Sequence, residues 1–510
     1  MAESWPNSVD LHLDLPLDGP ADAPPDAPLD VPLDLPAGPG SGGRRAALER
    51  ALRDAVRGGR LAPGARLPAT RRLADQLGLS RGTVKAAYDQ LVAEGYLTAR
   101  QGSGTAVAQR PGGGAAAAAR PVRDLAAPRH DLRPGSPDVT AFPAAAWLRA
   151  TRRALAAAPS AAYDYGDPRG RIELRTALAE YLGRARGVAA DPERIVVTTG
   201  YVQALALLVR TTGGTVAMED PGLSFHREVV RRNGGRVVPL PTDARGARSD
   251  LLGGPVRADT VVVTPAHQYP TGVTLHPQRR LALTAWARRE GGMVVEDDYD
   301  GEFRYDRQPV GALQGMAPDH VAYVGTASKT LGPALRLGWI VLPPHLVEPV
   351  AQTKLHSDFH TRVIEQLTLA EMIAGHDYDR HVRAGRLRYR RRRDLLVSRL
   401  TGRYAPAGIA AGLHALVALP AGGPGEAAVQ RQAARLGLAV GTLADHWHRD
   451  GARQGPRPPD GARPGAGDPR TQEGPAAAER PQGLIVGYGT PGEGAYPGAL
   501  AALVRALELA

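Results

Sequence analysis

The stretch VGTASKTLGPALRLGW, from Val324 to Trp339, joins an apolar, β-branched run to a polar turn. The turn contains Lys329, although the chain has only three lysines, Lys85, Lys329 and Lys354, and otherwise uses arginine as its cation. An apolar run that ends in a turn is typical of a strand buried on both faces. This segment therefore predicts a strand followed by a turn that presents a lysine.

Similar apolar runs precede this one, and helical stretches separate them. They are RIVVTTG (194–200), TVAMED (215–220), TVVVTPAH (260–267) and MVVEDDY (293–299). Alternation of such runs with helices favours an α/β fold with a mostly parallel, doubly wound sheet. Ligands of these sheets bind at the carboxyl ends of the strands. The polar residues that follow the runs are therefore candidates for a binding site.

Composition bounds the class of protein. The 510 residues carry a formal net charge of +11, which favours an anionic partner such as nucleic acid. The absence of cysteine excludes disulfides, thiolate metal sites and a cysteine nucleophile. No membrane-spanning stretch or signal peptide is evident, so we expect a cytoplasmic protein without a membrane partner. No spacing of His, Asp and Glu resembles a metal site.

Shifts in composition predict five segments. Residues 1–43 lack lysine and arginine and carry aspartate at every fourth position from Asp10 to Asp34, which predicts a disordered, acidic, Pro-rich tail. A basic helical domain at 44–108 and a linker at 109–130 follow. A large α/β domain then covers 131–348. A small α+β C-terminal domain covers 349–510 and contains a disordered Pro/Gly-rich insertion at about 449–482.

The sequence pattern of the basic domain predicts three helices and a Gly-tipped hairpin, with Ser80 as the N-cap of the third helix. Its sequence GRLAPGARLPATRRLADQLGLSRGTVKAAYDQLVAEGYLTARQGSGTAVA (59–108) resembles the GntR-type winged helix-turn-helix. That resemblance implies binding to double-stranded promoter DNA, with the third helix in the major groove. The implied DNA contacts fall on Arg71, Ser80, Arg81, Thr83, Lys85, Gln101 and Gly102.

Lys329 suggests a different chemistry in the large domain. A lysine captures an aldehyde when its surroundings lower its pKa, and pyridoxal 5'-phosphate is an aldehyde commonly held in this way. Its phosphate needs a cradle, for which the helix start after Gly200, the guanidinium of Arg336 and the hydroxyls of Thr326 and Ser328 are candidates. Its pyridine nitrogen and ring hydroxyl need a carboxylate and a donor, which VVEDDYD (294–300) could supply.

The motifs YGDPRGRIELRTALAEYL (165–182), TPAHQYPTGVTL (264–275), VVEDDYDGEFRYD (294–306) and TASKTLGPALRLGW (326–339) resemble the fold-type I aminotransferases. The resemblance covers the chain from about residue 131 to its end. It implies that Lys329 is the Schiff-base and catalytic lysine, that Asp297 pairs with the pyridine nitrogen and that Tyr299 bonds the ring hydroxyl. The implied phosphate ligands are Arg336, Thr326, Ser328 and the amides of Tyr201 and Val202. Tyr165 would reach the phosphate of a neighbouring subunit, which implies a homodimer.

A GntR-type winged helix fused to this fold resembles the MocR family of transcriptional regulators. The resemblance implies a DNA-binding regulator that holds pyridoxal phosphate through a lysine aldimine. It would sense pyridoxal phosphate itself or a small amine or amino-acid effector. Two alternatives stay open, namely an active aminotransferase with an accessory DNA-binding domain and a regulator whose second domain serves only for dimerisation.

Two departures from the family pattern bear on this choice. Leu223 occupies the position where an aromatic side chain usually stacks on the cofactor ring, and Phe225 lies two residues further on. Ile485 occupies the position in GLIVGYG where an aminotransferase carries the arginine that binds the substrate carboxylate. The second departure favours a sensor over an enzyme that transaminates amino acids.

We expect Arg81→Ala to weaken binding to a promoter fragment by about 1–3 kcal/mol, because a contact to a base or a phosphate is lost. Fluorescence anisotropy at a fixed salt concentration would measure the change. Unchanged affinity would contradict the assignment of the third helix to DNA recognition.

Overall fold

The computed structural model describes residues 41–100, 104–109, 128–305, 310–448 and 480–510. The chain divides after Leu125 into two compact units. Most of the predicted acidic tail, of the predicted linker and of the predicted insertion lies outside the described residues, as do Gln101 and Gly102, whereas residues 41–43 of the predicted tail begin the first helix. Within the described ranges, no helix combines the length and the apolar character needed to cross a membrane.

The first unit contains three helices and a small antiparallel sheet. They are α1 (Ser41–Arg57), α2 (Thr70–Leu77), α3 (Arg81–Ala93), β1 (Arg66–Leu67), β2 (Leu97–Arg100) and β3 (Gly104–Val107), with the strands in the order β1-β3-β2. Gly78 ends α2 with φ 61°, a left-handed conformation that favours glycine. Ser80 Oγ then accepts a hydrogen bond from the Thr83 amide at 3.1 Å and begins α3. The predicted winged helix-turn-helix is confirmed.

The second unit contains two sheets and ten helices in its described residues. Its strands are β4 (His130–Leu132), β5 (Ile195–Thr198), β6 (Thr215–Asp220), β7 (Arg236–Asp243), β8 (Gly246–Ala247), β9 (Thr260–Val263), β10 (Met293–Asp297), β11 (Val321–Thr326), β12 (Gly338–Val341), β13 (Pro406–Ala407), β14 (His414–Ala418), β15 (Leu438–Thr442) and β16 (Gly483–Gly487). Its helices are α4 (Ala144–Ala157), α5 (Ile172–Arg186), α6 (Tyr201–Thr212), α7 (Ser224–Arg232), α8 (Pro277–Glu290), α9 (Val347–Asp358), α10 (Val363–Ala374), α11 (Asp377–Leu400), α12 (Glu426–Arg435) and α13 (Tyr496–Glu508).

The larger sheet has the strand order β5-β12-β11-β10-β9-β6-β7-β8. Its central strands, from β11 through β10, β9 and β6 to β7, pair in parallel, whereas β12 runs antiparallel to both β5 and β11. Separate apolar cores form from α4, α5 and α10 and from α6 with its neighbours. This arrangement confirms the mostly parallel α/β fold, and it explains why the strand runs are apolar on both faces.

The smaller sheet has the order β13-β14-β16-β15-β4. Its edge strand β4 pairs in parallel with β15, so residues 130–132 contribute to this sheet and not to the larger one next to them in sequence. Similarly, α10 packs into the core shared with α4 and α5, although it follows the predicted boundary at 349. The composition of the chain could not predict this strand pairing and this helix packing, because the segments that meet are hundreds of residues apart.

One buried ion pair joins α5 to the end of β10. Arg186 donates to Asp298 from Nε at 2.7 Å and from Nη2 at 3.0 Å, and Tyr323 Oη donates to the same carboxylate at 2.8 Å. Both side chains of the ion pair are at most 6% exposed. The pair therefore fixes the strand end at which the polar residues of VVEDDYD emerge.

We expect Asp298→Ala to lower the free energy of unfolding by about 3–5 kcal/mol, because the Arg186 guanidinium would stay buried without its counter-charge. Asp379→Ala is the matched control, since Asp379 pairs with the largely exposed Arg184 from α5 and should cost less than about 1 kcal/mol. Urea denaturation followed by circular dichroism would measure both variants. Equal losses of unfolding free energy in the two variants would show that burial does not determine the contribution of the Arg186–Asp298 pair.

Candidate functional site

A cavity of about 330 Å³ opens at the carboxyl edge of the larger sheet. The ends of β6, β10 and β11, the start of α6 and the loop at Gly135 supply its walls. All of the cofactor-binding candidates except Tyr165 line it, namely Lys329, Asp297, Tyr299, Arg336, Thr326, Ser328, Tyr201 and Val202. The fold thus brings residues from separate segments of the chain to one place.

Two of the buried carboxylates at the end of β10 are satisfied on the face of the strand that points away from the cavity. Glu296 accepts hydrogen bonds from the amides of Leu313 and Gln314, each at 2.8 Å, and Asp298 pairs with Arg186. Burial raises the pKa of Glu296 to about 7. Because successive side chains of a strand point to opposite faces, Asp297 between them points to the cavity.

Asp297 differs from its neighbours because one of its oxygens is unsatisfied. Its Oδ1 is buried and has no hydrogen-bond partner among the described residues. Burial raises the pKa of the Asp297 carboxyl well above its usual value, and the positive charge of Lys329 opposes this rise. A buried polar atom without a partner is costly, so this oxygen is suited to accept a hydrogen bond from a cationic or N–H group of a ligand.

Lys329 reaches the same cavity from the turn after β11. Its Nζ donates to the carbonyl of Gly135. Burial lowers the pKa of Lys329, and the negative charges of Asp300 and Asp297 offset part of this lowering. A lower pKa increases the fraction of unprotonated amine near neutral pH, which is the form that attacks an aldehyde.

A cradle for an anion lies at the start of α6. Gly200 has φ 115°, and the amides of Tyr201 and Val202 follow it in the first turn of the helix. The guanidinium of Arg336 approaches to 3.5 Å from the position that a Cβ on Gly200 would take. The guanidinium of Arg336 makes no hydrogen bond or ion pair with any described residue. Its donors are therefore available to an anion in the cradle.

The candidate hydroxyls are hydrogen-bonded within the chain. Thr326 Oγ1 lies 2.9 Å from Ser328 Oγ and 3.1 Å from the Ser328 amide, which holds both side chains at the turn. Tyr299 Oη donates to the carbonyl of His267 at 3.1 Å and lies 3.0 Å from His267 Nδ1. These contacts fix the orientation of each hydroxyl at the cavity wall.

A cluster of three titratable groups adjoins Tyr299, and no spacing in the sequence predicted it. The potential ligand atoms of His267, Asp300 and His414 all lie within 4.8 Å of one another. His267 Nδ1 is 2.8 Å from Asp300 Oδ2, and its Nε2 is 3.0 Å from the carbonyl of Gly408. Since both ring nitrogens of His267 are engaged, the cluster fits a hydrogen-bond network that supports Tyr299.

Sequence reasoning also missed cavity residues on β6 and α7. Glu219 accepts a hydrogen bond from Thr264 Oγ1, and burial raises its pKa to about 7. The ring of His226 lies 4.5 Å from that of Tyr201, and burial together with the charge of Lys329 lowers its pKa to about 3. The sequence singled out Leu223 and Phe225 in this part of the chain, but the orientation of the neighbouring side chains is not encoded in a local pattern.

The first departure from the family pattern now has a structural outcome. Leu223 lines the cavity, whereas Phe225 is 57% exposed and is not part of its lining. The neutral ring of His226 lines the cavity beside Leu223. An apolar contact from Leu223 is therefore the alternative that the structure favours over an aromatic one from Phe225.

Two further predicted positions lie away from the cavity. Tyr165 is 78% exposed, and its ring packs against that of Phe359 with centroids 5.1 Å apart. Ile485 is fully buried in β16, where it pairs with Leu416 and Gly441, so its side chain belongs to the smaller sheet. Among the cavity residues, the arginines are Arg227 and Arg336.

The DNA-contact candidates that the structure describes cluster at α2 and at the start of α3. Arg71, Arg81 and Lys85 are exposed, and Lys85 pairs with Asp89 one helical turn further on at 2.6 Å. Ser80 and Thr83 bond each other through their hydroxyls at 2.8 Å as part of the helix cap. The three cations are thus accessible to a phosphate backbone, with Lys85 shared with Asp89, while the two hydroxyls also maintain the helix start.

Comparisons with known proteins agree with this architecture. The family described as bacterial regulatory proteins, gntR family, matches residues 44–107, and aminotransferase class I and II matches residues 134–433. An HTH-type pyridoxine biosynthesis transcriptional regulator, PdxR of Corynebacterium glutamicum, is 34% identical over 419 residues, which cover 80% of this chain and 90% of the relative. A probable rhizopine catabolism regulatory protein, MocR of Rhizobium meliloti, is 34% identical over 374 residues, covering 69% of this chain and 76% of the relative.

Solved structures show the same fold for the second unit. An archaeal alanine:glyoxylate aminotransferase has a TM-score of 0.62 at 22% identity and covers 74% of this chain and 90% of its own. The aspartate aminotransferase of Thermus thermophilus with maleate has a TM-score of 0.59 at 25% identity, covering 75% and 92% respectively. These similarities establish the fold-type I architecture.

Fold and site together define a two-domain protein that joins a GntR-type DNA-binding domain to an aminotransferase-like domain. The two relatives named above, which match most of the chain, are described as regulatory proteins. The chain belongs to the MocR-type family of the GntR superfamily.

We expect the amine of Lys329 in the cofactor-free protein to titrate below the ordinary lysine value of 10.5, because burial disfavours its charged form. Asp300→Asn should move the midpoint further down, since Asp300 raises the pKa of Lys329. The pH dependence of acetylation at Lys329, quantified by mass spectrometry, would measure both. A midpoint at or above 10.5, or an upward movement in the variant, would contradict the proposed environment.

Proposed function

We propose that this protein is a transcriptional regulator that binds pyridoxal 5'-phosphate covalently through Lys329 and senses either that cofactor or a small amine. The observation that carries the proposal is the unsatisfied Oδ1 of Asp297 in the cavity that also holds Lys329. A protonated pyridine nitrogen would satisfy this oxygen, and its positive charge would stabilise the ionised carboxylate.

The remaining cavity groups fit the same ligand. The amides of Tyr201 and Val202 and the unpaired guanidinium of Arg336 suit a phosphate, with the hydroxyls of Thr326 and Ser328 beside them. Tyr299, held by His267, is suited to bond the ring hydroxyl. When bound, pyridoxal phosphate supplies an aldehyde that exchanges between Lys329 and an incoming amine.

A homodimer is part of the proposal. Tyr165 and Phe359 are both exposed, and their rings pack against each other at a tilt of 43°, so they form a surface suited to another subunit. We propose that Tyr165 reaches the phosphate of that subunit. The cavity would then be completed at the dimer interface.

The effector end of the cavity favours sensing over transamination of amino acids. Ile485 is buried in β16 away from the cavity, so the position where the resemblance implies a carboxylate-binding arginine presents no cation to the cavity. Arg227 Nη2 donates to the carbonyls of Glu219 and His446 and to Asp220. An amine that displaces Lys329, or pyridoxal phosphate itself, would regulate only by binding two conformations of the protein with different affinity.

The DNA side of the proposal rests on the first unit. The exposed cations Arg71, Arg81 and Lys85 suit phosphate and base-edge contacts, with α3 in the major groove. Ser80 and Thr83 would contact DNA only in addition to their capping role. Gln101 and Gly102 stay predictions because they lie outside the described residues. We assign DNA recognition to residues 44–108 and ligand sensing to the region from residue 131 onward.

We expect the protein to acquire a visible absorbance band with pyridoxal phosphate and Lys329→Ala to lose it, because the covalent link is removed. Lys85→Ala is the matched lysine control and should keep the band while it weakens promoter binding. Absorbance after dialysis and a DNA-binding titration would measure these effects. A wild-type protein that stays colourless would overturn the cofactor assignment.

Single turnover separates the sensor from the enzyme alternative. The cofactor-loaded protein would be mixed with candidate amines and then with a keto acid. A sensor should shift its spectrum and its DNA affinity without regenerating the original spectrum. Rapid conversion to a pyridoxamine form and recovery with the keto acid would favour an aminotransferase.

A further inference from the structure

Lys354 is a charged residue in a place where charge is costly. It lies in α9, its side chain is 0% exposed, and it is not a lining residue of the cavity. Its Nζ donates to both oxygens of Asp358, one helical turn further on, at 2.8 and 3.0 Å. Burial lowers the pKa of Lys354, and Asp358 opposes this lowering. A buried ion pair contributes little net stability, so we looked for a role of Lys354 other than stabilising the fold.

Two further hydrogen bonds link the carboxylate of Asp358 to the segment that forms the phosphate cradle. Its Oδ2 accepts a hydrogen bond from Gln203 Nε2 at 2.7 Å. The other end of that amide, Gln203 Oε1, accepts from the amide of Thr199 at 2.8 Å. Thr199 immediately precedes Gly200, the residue at which α6 and its cavity-facing amides begin.

The positive charge of Lys354 determines the orientation of the Gln203 side-chain amide in this series of hydrogen bonds. An ionised carboxylate only accepts hydrogen bonds, so Asp358 forces the Nε2 end of Gln203 toward itself. The Oε1 end then must face the amide of Thr199. Without the ammonium, the Asp358 side chain could rotate away, and the glutamine amide could turn over.

A second contact ties the same segment to the same turn. Thr361 Oγ1, three residues after Asp358, donates to the carbonyl of Val197 in β5 at 3.2 Å. Asp358 and Thr361 therefore contact residues on both sides of Gly200, namely Gln203 in α6 and Val197 in β5. By contrast, Thr353 bonds Thr211 at the far end of α6 at 3.0 Å and does not contact the connection.

We propose that Lys354 is a positioning residue that, through Asp358 and Gln203, holds the start of α6 in the conformation that binds the cofactor phosphate. This inference rests on the proposed function, because it assumes that the cradle at Gly200 receives a phosphate. Lys354 acts at a distance from the ligand. Its loss should therefore affect the phosphate and leave the capture of the aldehyde by Lys329 intact.

The test compares pyridoxal phosphate with pyridoxal, which carries the aldehyde and lacks the phosphate. The dissociation constants of both would be measured from the visible band for wild-type protein, Lys354→Met, Gln203→Met and Thr353→Val. We expect Lys354→Met and Gln203→Met to bind pyridoxal phosphate about tenfold more weakly and pyridoxal as wild type, as expected for one hydrogen bond to a charged group. Thr353→Val, which removes a bond between the same helices, should leave both constants unchanged.

Each outcome bears on the inference. Equal losses for the two ligands, or no loss in either variant, would overturn it, because the network would then be structural or without effect. If Lys354→Met does not fold, Gln203→Met decides, since Gln203 is only half-buried and lies in the same network. A wild-type protein that binds neither aldehyde would overturn the cofactor proposal itself, which distinguishes that failure from a failure of the positioning role.

Discussion

The site depends on one physical constraint, which is that several acidic side chains are buried at the end of β10. A carboxylate removed from water requires partners, and the segment from Glu296 to Asp300 recruits them from distant parts of the chain. Glu296 holds the amides at 313 and 314, Asp298 holds Arg186 at the end of α5, and Asp300 holds His267 after β9. These contacts fix the cavity walls, and Asp297 is left with one unsatisfied oxygen that faces the cavity.

The three lysines show how environment sets what one residue type can do. Lys85 is exposed on α3, where it pairs with the exposed Asp89, and its hydrated ammonium suits a DNA phosphate. Lys329 lies in the cavity near Asp297 and Asp300, where burial favours its neutral, nucleophilic form. Lys354 is fully buried against Asp358 and is suited to orient other groups. Lys329 lines the cavity together with the start of α6, whereas Lys354 lies outside the cavity and is linked to the start of α6 through Asp358 and Gln203.

Much of the fold was predictable because it depends on local periodicity. Each of the five apolar runs forms a strand of the larger sheet, and the turn and cap residues around Gly78 and Ser80 define the winged helix. The pairing of β4 with β15 and the packing of α10 under the larger sheet were not predictable, because both depend on contacts between segments far apart in sequence. The same reason hid the contacts of His226 with Tyr201 and of Asp300 with His267 and His414.

The sequence by itself determined the two domains, the family resemblance and the identity of the residues that could hold a cofactor, because these depend on residue type, spacing and the ends of strands. It could not rank the carboxylates of VVEDDYD from their chemistry alone. Only the tertiary structure decided which of them has an unsatisfied oxygen and that Leu223 and not Phe225 faces the cavity. It also decided that Lys354 donates to Asp358, which in turn accepts a hydrogen bond from Gln203. Burial and hydrogen-bond partnership are properties of the folded chain, since they arise from segments that meet only when the sheets and helices pack.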